Sequence, residues 1–280
     1  MGHRSSLFCD AALASRIEAA ETELIVAASR AAQARSGTAG FVLPIGGGAA
    51  TFAGSDSPFT KVVGLGFGGV PQHAAFDAVE KAYAVHGAPV QVELTHLADP
   101  EIGTMLSDRG YRLEGFENVL GIAVDSAPHL AAPPGIEVRL SGDDEFDAWL
   151  AVVVEGSVHP DTEGLPWHDE FPREAVEGAE RDFAVAGVTR YAALREGVLA
   201  GGADFRITNG IAQLAGAATL PAHRRRGVQT ALLATRLADA RAAGCTIAVL
   251  AAQPGSPSHH NAQRSGFDLL YTRATLVKSR

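Results

Sequence analysis

The sequence contains very little cysteine, and what it has is not arranged for cross-linking or for metal binding. Cys9 and Cys245 are the two cysteines in 280 residues, and neither lies in a Cys-X-X-Cys or Cys/His spacing. Disulfide frameworks and zinc sites depend on such spacings, so the sequence indicates neither. We therefore predict no metal site, and the low cysteine content fits a reducing cytoplasm.

Basic side chains and long apolar runs are also scarce. Lys and Arg number 23 against 32 Asp and Glu, which gives a formal net charge of -9. A field of this sign repels nucleic acid and anionic membranes. No apolar run approaches the roughly 20 residues of a membrane span, and the N-terminus lacks the apolar core of a signal peptide. We expect a cytoplasmic protein without a nucleic-acid or membrane partner.

The composition otherwise favours a globular protein of two domains. Apolar residues make up 46% of the chain and charged residues 20%, which is ample material for buried cores. The clearest seam is the stretch 127–135, where Pro133 and Pro134 follow Pro128 and favour an extended connector. We predict one domain over residues 1–130 and a second over residues 131–280.

Within the second domain, periodicity and turn residues predict an antiparallel meander followed by two helix–strand units. The pair Asn209-Gly210 between two strand-like runs is a strong hairpin signal. The predicted strands are 136–140, 190–195, 198–207, 211–220, 245–252 and 267–277, and the predicted helices are 143–155, 227–243 and 256–265.

The end of the first domain repeats the end of the second. Between Gly87 and Gly110 the sequence predicts a strand and then a helix that starts at Asp99-Pro100. Between Gly244 and Gly266 it predicts the same elements in the same order. We align Phe67–Pro71 with Ala217–Pro221. From there the first copy is shorter and lacks the arginines that follow Pro221, so we predict that its anion site is absent.

Those arginines lie in a loop between a predicted strand and a predicted helix. Arg224, Arg225 and Arg226 precede Gly227, where the helix begins. A helix start leaves backbone N–H groups unpaired and carries partial positive charge, so it can bind a phosphate. The alternative is a solvated charged turn, which is the better interpretation of a basic triplet alone.

This loop resembles the Arg/Gln-X-X-Gly-X-Gly/Ala signature of GNAT acyltransferases. Arg224 and Gly227 match it, and Gln229 departs from it. The helix ending at Gly266-Phe267 resembles the family's second marker, and the likeness covers residues 136 to about 277. It implies an α/β (α+β) fold of two GNAT-like domains, each a mixed, mostly antiparallel sheet flanked by helices. The first copy would be degenerate.

The resemblance also implies acetyl-CoA as the acyl donor. The residues that it places at the cofactor are Ala218, Thr219, Leu220, Arg224, Arg225, Arg226, Gly227, Val228, Gln229, Thr230 and Asn261. In the family, a bulged strand before the loop offers a backbone N–H to the thioester carbonyl, which corresponds to Ala218–Leu220 here.

The catalytic acid and base are less clearly indicated. Ala262 stands where many relatives carry a tyrosine that protonates the leaving thiolate, and Tyr271, His259 and His260 are the substitutes.

The strand 211–220 holds no carboxylate, so the base must come from elsewhere. Its candidates are Asp204, Glu155, His159, Asp161, Glu163 and His168. We predict Glu163 or His159, acting through water, as the base and Tyr271 as the acid. For each, an ordinary structural role is an equally good interpretation.

Taken together, these features predict an acetyl-CoA-dependent N-acetyltransferase acting on a small-molecule amine. The alternative is an acyl-CoA-binding module of the same fold that has lost turnover, and a third hypothesis is an interaction scaffold. A homodimer is compatible with the sequence.

Overall fold

The computed structural model describes residues 6–37, 39–128, 133–160 and 171–279. The helices are α1 Ala11–Ser36, α2 His73–Val85, α3 Pro100–Asp108, α4 Phe146–Val158, α5 Arg173–Val185, α6 Val228–Ala242 and α7 Pro257–Arg264. The strands are β1 Phe41–Ile45, β2 Gly48–Phe52, β3 Lys61–Val63, β4 Val90–Thr95, β5 Arg112–Ala123, β6 Ile136–Leu140, β7 Thr189–Arg195, β8 Val198–Thr208, β9 Ile211–Thr219, β10 Ile247–Ala252 and β11 Asp268–Lys278. The predicted α/β class is confirmed.

All described strands belong to one mixed, mostly antiparallel sheet, and two of them are exchanged between the halves of the chain. The order is β1-β2-β3-β4-β11-β5-β10-β9-β8-β7-β6. Thus β11, from the end of the chain, lies beside β4, and β5, from the first half, lies beside β10. The two exchanged strands also pair with each other over most of their length. The division at residue 130 stays a prediction, since strands from both sides of it complete one sheet.

The turns of the second half follow from residues that tolerate positive φ. Glu196-Gly197 joins β7 to β8 and Asn209-Gly210 joins β8 to β9, and all four residues have φ between 51° and 78°. Two consecutive positive φ values define the type I′ turn, whose twist matches antiparallel strands. The Asn-Gly hairpin prediction is therefore confirmed.

The predicted repeat is present as matching elements. The side chains of Asp99 and Ser256 cap α3 and α7, and a proline follows each cap as the first helical residue. Gly110 and Gly266, both at positive φ, follow the two helices and lead into β5 and β11. Equal local signals thus give equal local structure in both copies.

Helices cover both faces of the sheet. On one face α1 packs through Ile17 against Ile211, Val119 and Tyr271, and α4 packs through the fully buried Trp149. The opposite face of the second half is covered by α6, whose Leu232 and Leu237 lie in a core with strands β8, β9 and β10. We call the face under α1 and α4 the α1 face.

In the first copy, glycines close the place where the second copy has its basic loop. Strand β3 ends at Val63, so Phe67–Pro71 is not the strand that our alignment expected. The N–H groups of Gly66 and Gly68 both donate to the Gly46 carbonyl at 3.1 Å, and Gly47 lies so close to Gly68 that a Cβ would be 2.6 Å from its nitrogen. The N–H groups of Gly66 and Gly68 are thus already bonded within the protein. The absence of an anion site in the first copy stays a prediction.

Candidate active site

A cleft opens where β9 and β10 separate. These parallel strands pair only from Ile247↔Ile211 to Val249↔Gln213. Beyond that point β10 pairs with β5 alone and β9 with β8 alone. A register shift between Asp204 and Arg206, opposite residues 213–216, marks a β-bulge in β9. The structure therefore shows the bulge and the splayed strands that the resemblance implied.

The basic loop lies at the mouth of this cleft. A short turn over Pro221–His223 follows β9, and Arg225 and Gly227 take positive φ values of 58° and 86° before α6 begins. The N–H groups of residues 227–230 have no acceptor among the described residues. Unpaired N–H groups at the start of a 15-residue helix can bind an anion, so the geometry is compatible with the predicted anion site, which stays a prediction.

Arg224 is bonded to the protein itself and is not directed at a ligand. Its Nε donates to the carbonyl of Thr219 at 3.3 Å, and its Nη2 donates to the carbonyls of Gly156, at 3.0 Å, and His159. The guanidinium thus joins the end of β9 to the last turn of α4, where unpaired carbonyls favour a cation. Arg225 and Arg226 are exposed in the same loop.

We predict that Arg226→Ala and Arg224→Ala act differently. Arg226→Ala should weaken acetyl-CoA binding by about tenfold at low salt and less at high salt, because an exposed charge is screened. Arg224→Ala should instead lower the thermal midpoint, since it leaves the partly buried carbonyls of Thr219 and Gly156 without this donor. Calorimetric titration at two salt concentrations measures the first effect. Equal salt dependence of both variants would contradict the assignment.

Gln229 and Thr219 form a contact beside the loop. The Gln229 Nε2 donates to the Thr219 hydroxyl at 3.0 Å. The long side chain at this position of the signature therefore folds toward β9, and the backbone N–H of Gln229 stays unpaired.

The three residues at the end of β9 that are predicted to bind the thioester differ in the direction of their backbone N–H groups. The Leu220 N–H donates to the Ala200 carbonyl at 2.9 Å, so it is already occupied by β8. Neighbouring residues of an antiparallel strand point their N–H groups to opposite sides, so the Thr219 N–H faces the cleft. Ala218 is buried against α4. Thr219 is the residue of the three placed to bind an oxyanion.

The family's acid position is filled by a core residue. Ala262 on α7 is 3% exposed and packs with Ala252 and Phe267. One turn earlier, His259 accepts a hydrogen bond at Nδ1 from the Gly255 N–H at 3.2 Å, which assigns the ring proton to Nε2. This Nε2 is buried and has no partner among the described residues. His260 and Asn261 are exposed on the same helix.

The predicted catalytic residues are not brought together. Tyr271 is 1% exposed, and its hydroxyl donates to Glu18 Oε1 at 2.6 Å on the α1 face. Burial raises the pKa of the Tyr271 hydroxyl above the ordinary tyrosine value. Tyr271 is therefore a poor proton donor, and we withdraw it as the acid. His159 is exposed at the end of α4 beside Glu155. Glu163, Asp161 and His168 lie outside the described residues.

Sequence reasoning missed two charged residues near the bulge, Arg236 of α6 and Glu180 of α5. Arg236 on α6 is 4% exposed and donates from Nη1 to the carbonyls of Asp204 and Gly216, each at 2.9 Å. It fixes the two strands on either side of the bulge. Burial lowers its pKa to about 10, but the group stays charged at neutral pH.

The second, Glu180, forms a carboxyl pair with Asp204, which the sequence analysis had named as a candidate base. Asp204 Oδ1 and Glu180 Oε2 are buried without a hydrogen-bond partner among the described residues. Burial raises the pKa of Asp204 to about 6, and burial and the Asp204 charge raise the pKa of Glu180 as well. Two touching buried carboxyls retain a proton between them. No sequence pattern links a strand residue to a helix residue 24 positions earlier.

Metal-binding clusters and membrane-spanning helices are both absent from the described ranges. No group of three or more His, Cys, Asp or Glu side chains is arranged to bind a metal ion. None of the described helices combines the length and the apolarity that spanning a membrane requires.

Comparison with known proteins agrees with this geometry. Residues 157–267 match the acetyltransferase (GNAT) family. A search of curated proteins gave no match.

Similar solved structures include a GCN5-related N-acetyltransferase from Kribbella flavida, with a TM-score of 0.62 and 21% identity over 90% of this chain and 95% of that one. A GCN5-related N-acetyltransferase from Sphaerobacter thermophilus has a TM-score of 0.55 and 17% identity, and the match covers 73% of this chain and 66% of that one. A tandem GNAT protein from the clavulanic acid biosynthesis pathway has a TM-score of 0.60 and 14% identity, and the match covers 96% of this chain and 93% of that one. These structures share the fold, and the family match shows that residues 157–267 carry an acetyltransferase (GNAT) domain.

Proposed function

We propose that the protein is an acetyl-CoA-dependent N-acetyltransferase that transfers an acetyl group directly to the amine of a small-molecule acceptor. The observation that carries the proposal is the cleft between β9 and β10, with the unpaired N–H groups of residues 227–230 at its mouth. The exposed arginines of the loop supply positive charge at the same place. A narrow slot ending in an anion site fits a long donor whose phosphates stay outside.

The residues at the mouth of the cleft fit acetyl-CoA in their chemistry. The first turn of α6 offers N–H groups to the pyrophosphate, and Gly227 lets the chain turn into that helix. Acetyl-CoA, when bound, supplies the acetyl group as a thioester. The Thr219 N–H stabilises the negative charge that forms on the thioester oxygen, which is the electrostatic part of catalysis. The His259 Nε2–H is a buried donor three residues before Ala262, the position where the family carries its tyrosine.

A thermal-shift titration with acetyl-CoA tests binding. A ligand present at 100 times its dissociation constant stabilises a protein by about 2.7 kcal/mol, so a clear rise in the melting temperature is expected. Desulfo-CoA should give a similar shift, because the thiol end lies away from the phosphates. A protein that melts identically with and without either compound contradicts both cofactor hypotheses.

The second candidate is an acyl-CoA-binding module without turnover. Ala262 favours it, because no hydroxyl stands at the family's acid position. A thiol with a pKa near 8.5 nevertheless leaves without much assistance at neutral pH, so the lost acid slows transfer more than it prevents it. Thiol release from acetyl-CoA across a panel of primary amines separates the two functions. A melting-temperature shift with acetyl-CoA but no thiol release with any amine identifies the binding module.

A further inference from the structure

Glu117 on β5 lies beside the cleft although it comes from the first half of the chain. The last pair between β5 and β10 is Asn118↔Ala252, so Glu117 is one residue beyond it, at the carboxyl end where β9 and β10 are separated. Only the exchange of β5 and β11 brings this residue next to β10.

The side chain of Glu117 is on the α1 face, which is open at this point. Val119, two residues later, packs under α1, and side chains two apart in a strand share a face. Ala251, opposite Val119 on β10, is on that same face and is exposed. The Glu117 side chain is itself 25% exposed. A molecule reaching the cleft over Ala251 therefore meets this carboxylate.

Strand β9, on the other side of the cleft, provides no base. On the α1 face β9 offers Gln213, which is 4% exposed. Its amide contacts Arg206 and Thr208 at one end and Glu21 of α1 at the other, at distances between 3.3 and 3.4 Å. Gln213 cannot accept a proton, and its neighbours fix its position. A carboxylate on the other side of the cleft supplies what β9 lacks.

We propose that Glu117 is the general base of the acetyl transfer, and that it binds and deprotonates the ammonium group of the acceptor. This inference rests on the proposed function. Glu117 takes one proton from R–NH₃⁺, and the nitrogen lone pair forms the C–N bond to the acetyl carbon while the C–S bond breaks. The second nitrogen proton passes to the leaving thiolate. The proton on Glu117 then returns to solvent.

The charges around Glu117 suit this task. Arg273 of β11 donates to Glu117 Oε2 at 2.9 Å, and the other charged groups facing it are Lys61, Glu93, Glu21 and Glu18. Burial and the Glu93 charge raise the pKa of Glu117 to about 7, against the lowering effect of Arg273 and Lys61. A base with this pKa is ionised for a useful fraction of the time at neutral pH and still binds a proton.

The test compares Glu117→Gln with a matched control, Glu93→Gln. Both remove one carboxylate from the same surroundings, but Glu93 is on β4, which is separated from β10 by β11 and β5. On an amine that the wild type acetylates, Glu117→Gln should lower kcat/KM by about 10²-fold or more, and Glu117→Asp should keep part of the activity. The wild-type rate should rise with pH through about 7, and this rise should be missing in Glu117→Gln. The melting-temperature shift with acetyl-CoA should be the same in all variants.

Two outcomes overturn the inference and differ from each other. If Glu117→Gln turns over like the wild type with an unchanged pH profile, Glu117 is not the base, and loss of activity in Asp204→Asn would move the role to the Asp204–Glu180 pair. If the wild type binds acetyl-CoA and releases no thiol with any amine, the proposed function fails and the inference fails with it.

Discussion

Gly227→Ala is expected to remove acetyl-CoA binding while the protein stays folded. Gly227 has a φ of 86°, a conformation that costs a residue with a Cβ about 1–2 kcal/mol. The added Cβ would also lie 2.5 Å from Cγ of Pro133, a ring carbon that cannot rotate away. Relief of both strains requires the first turn of α6 to move, and that turn carries the four N–H groups of the anion site. We expect no stabilisation by acetyl-CoA where the wild type gains about 2.7 kcal/mol.

Gly244→Ala is the matched control for this variant. Gly244 follows the other end of α6 with a φ of 71°, and nothing lies within 4 Å of an added Cβ. It should therefore show similar backbone strain with intact cofactor affinity. Isothermal titration with acetyl-CoA measures both proteins. Normal affinity in Gly227→Ala, or an equal loss in Gly244→Ala, would show that the loop has been misinterpreted.

Arg273→Met is expected to cause the largest loss of stability. Arg273 is 2% exposed, and its guanidinium donates to Glu18 at 2.8 Å and to Glu117 at 2.9 Å. Glu18 is also 2% exposed, so removing the arginine leaves a buried carboxylate without its cation. Breaking a buried ion pair from one side costs about 3–5 kcal/mol. The contact joins β11 to both α1 and β5, so the whole cooperative unit should weaken. Urea unfolding measures the change.

A second substitution distinguishes charge imbalance from lost packing. Glu18→Gln in the Arg273→Met background removes the unpaired charge and should recover part of the stability. Arg139→Met on the edge strand β6 breaks an exposed pair with Glu145 and should change little. If Arg273→Met unfolds at the wild-type urea concentration, the buried network contributes nothing to stability.

The elements of the second half could be predicted because their signals are local. The Asn209-Gly210 turn, the Ser256 cap and the glycines after helices each depend on a few neighbouring residues. Helix α5 was missed because it buries few side chains, among them Asp182, which pairs with Arg35 of α1. Its helical pattern is polar, and its position depends on a contact 147 residues away.

The exchange of β5 and β11 and the role of Arg224 could not be predicted from the sequence. The alternation of residues along the two exchanged strands does not say which neighbour each will choose. Arg224 matches a cofactor signature, but its donors are taken by carbonyls of Thr219, Gly156 and His159 that only the fold brings near. Short-range patterns located the basic loop between β9 and α6. Partners from distant segments decide what each side chain in it does.

The exchanged strands also govern when the molecule can fold during its synthesis. Strand β4 obtains its partner on one side from residues 273–278, nearly two hundred positions later. Until the ribosome releases those residues, the first half carries an open sheet edge at β4, and such edges favour aggregation. Loop closure over this separation makes the final pairing slow. The sheet can thus be completed only after residues 273–278 have left the ribosome.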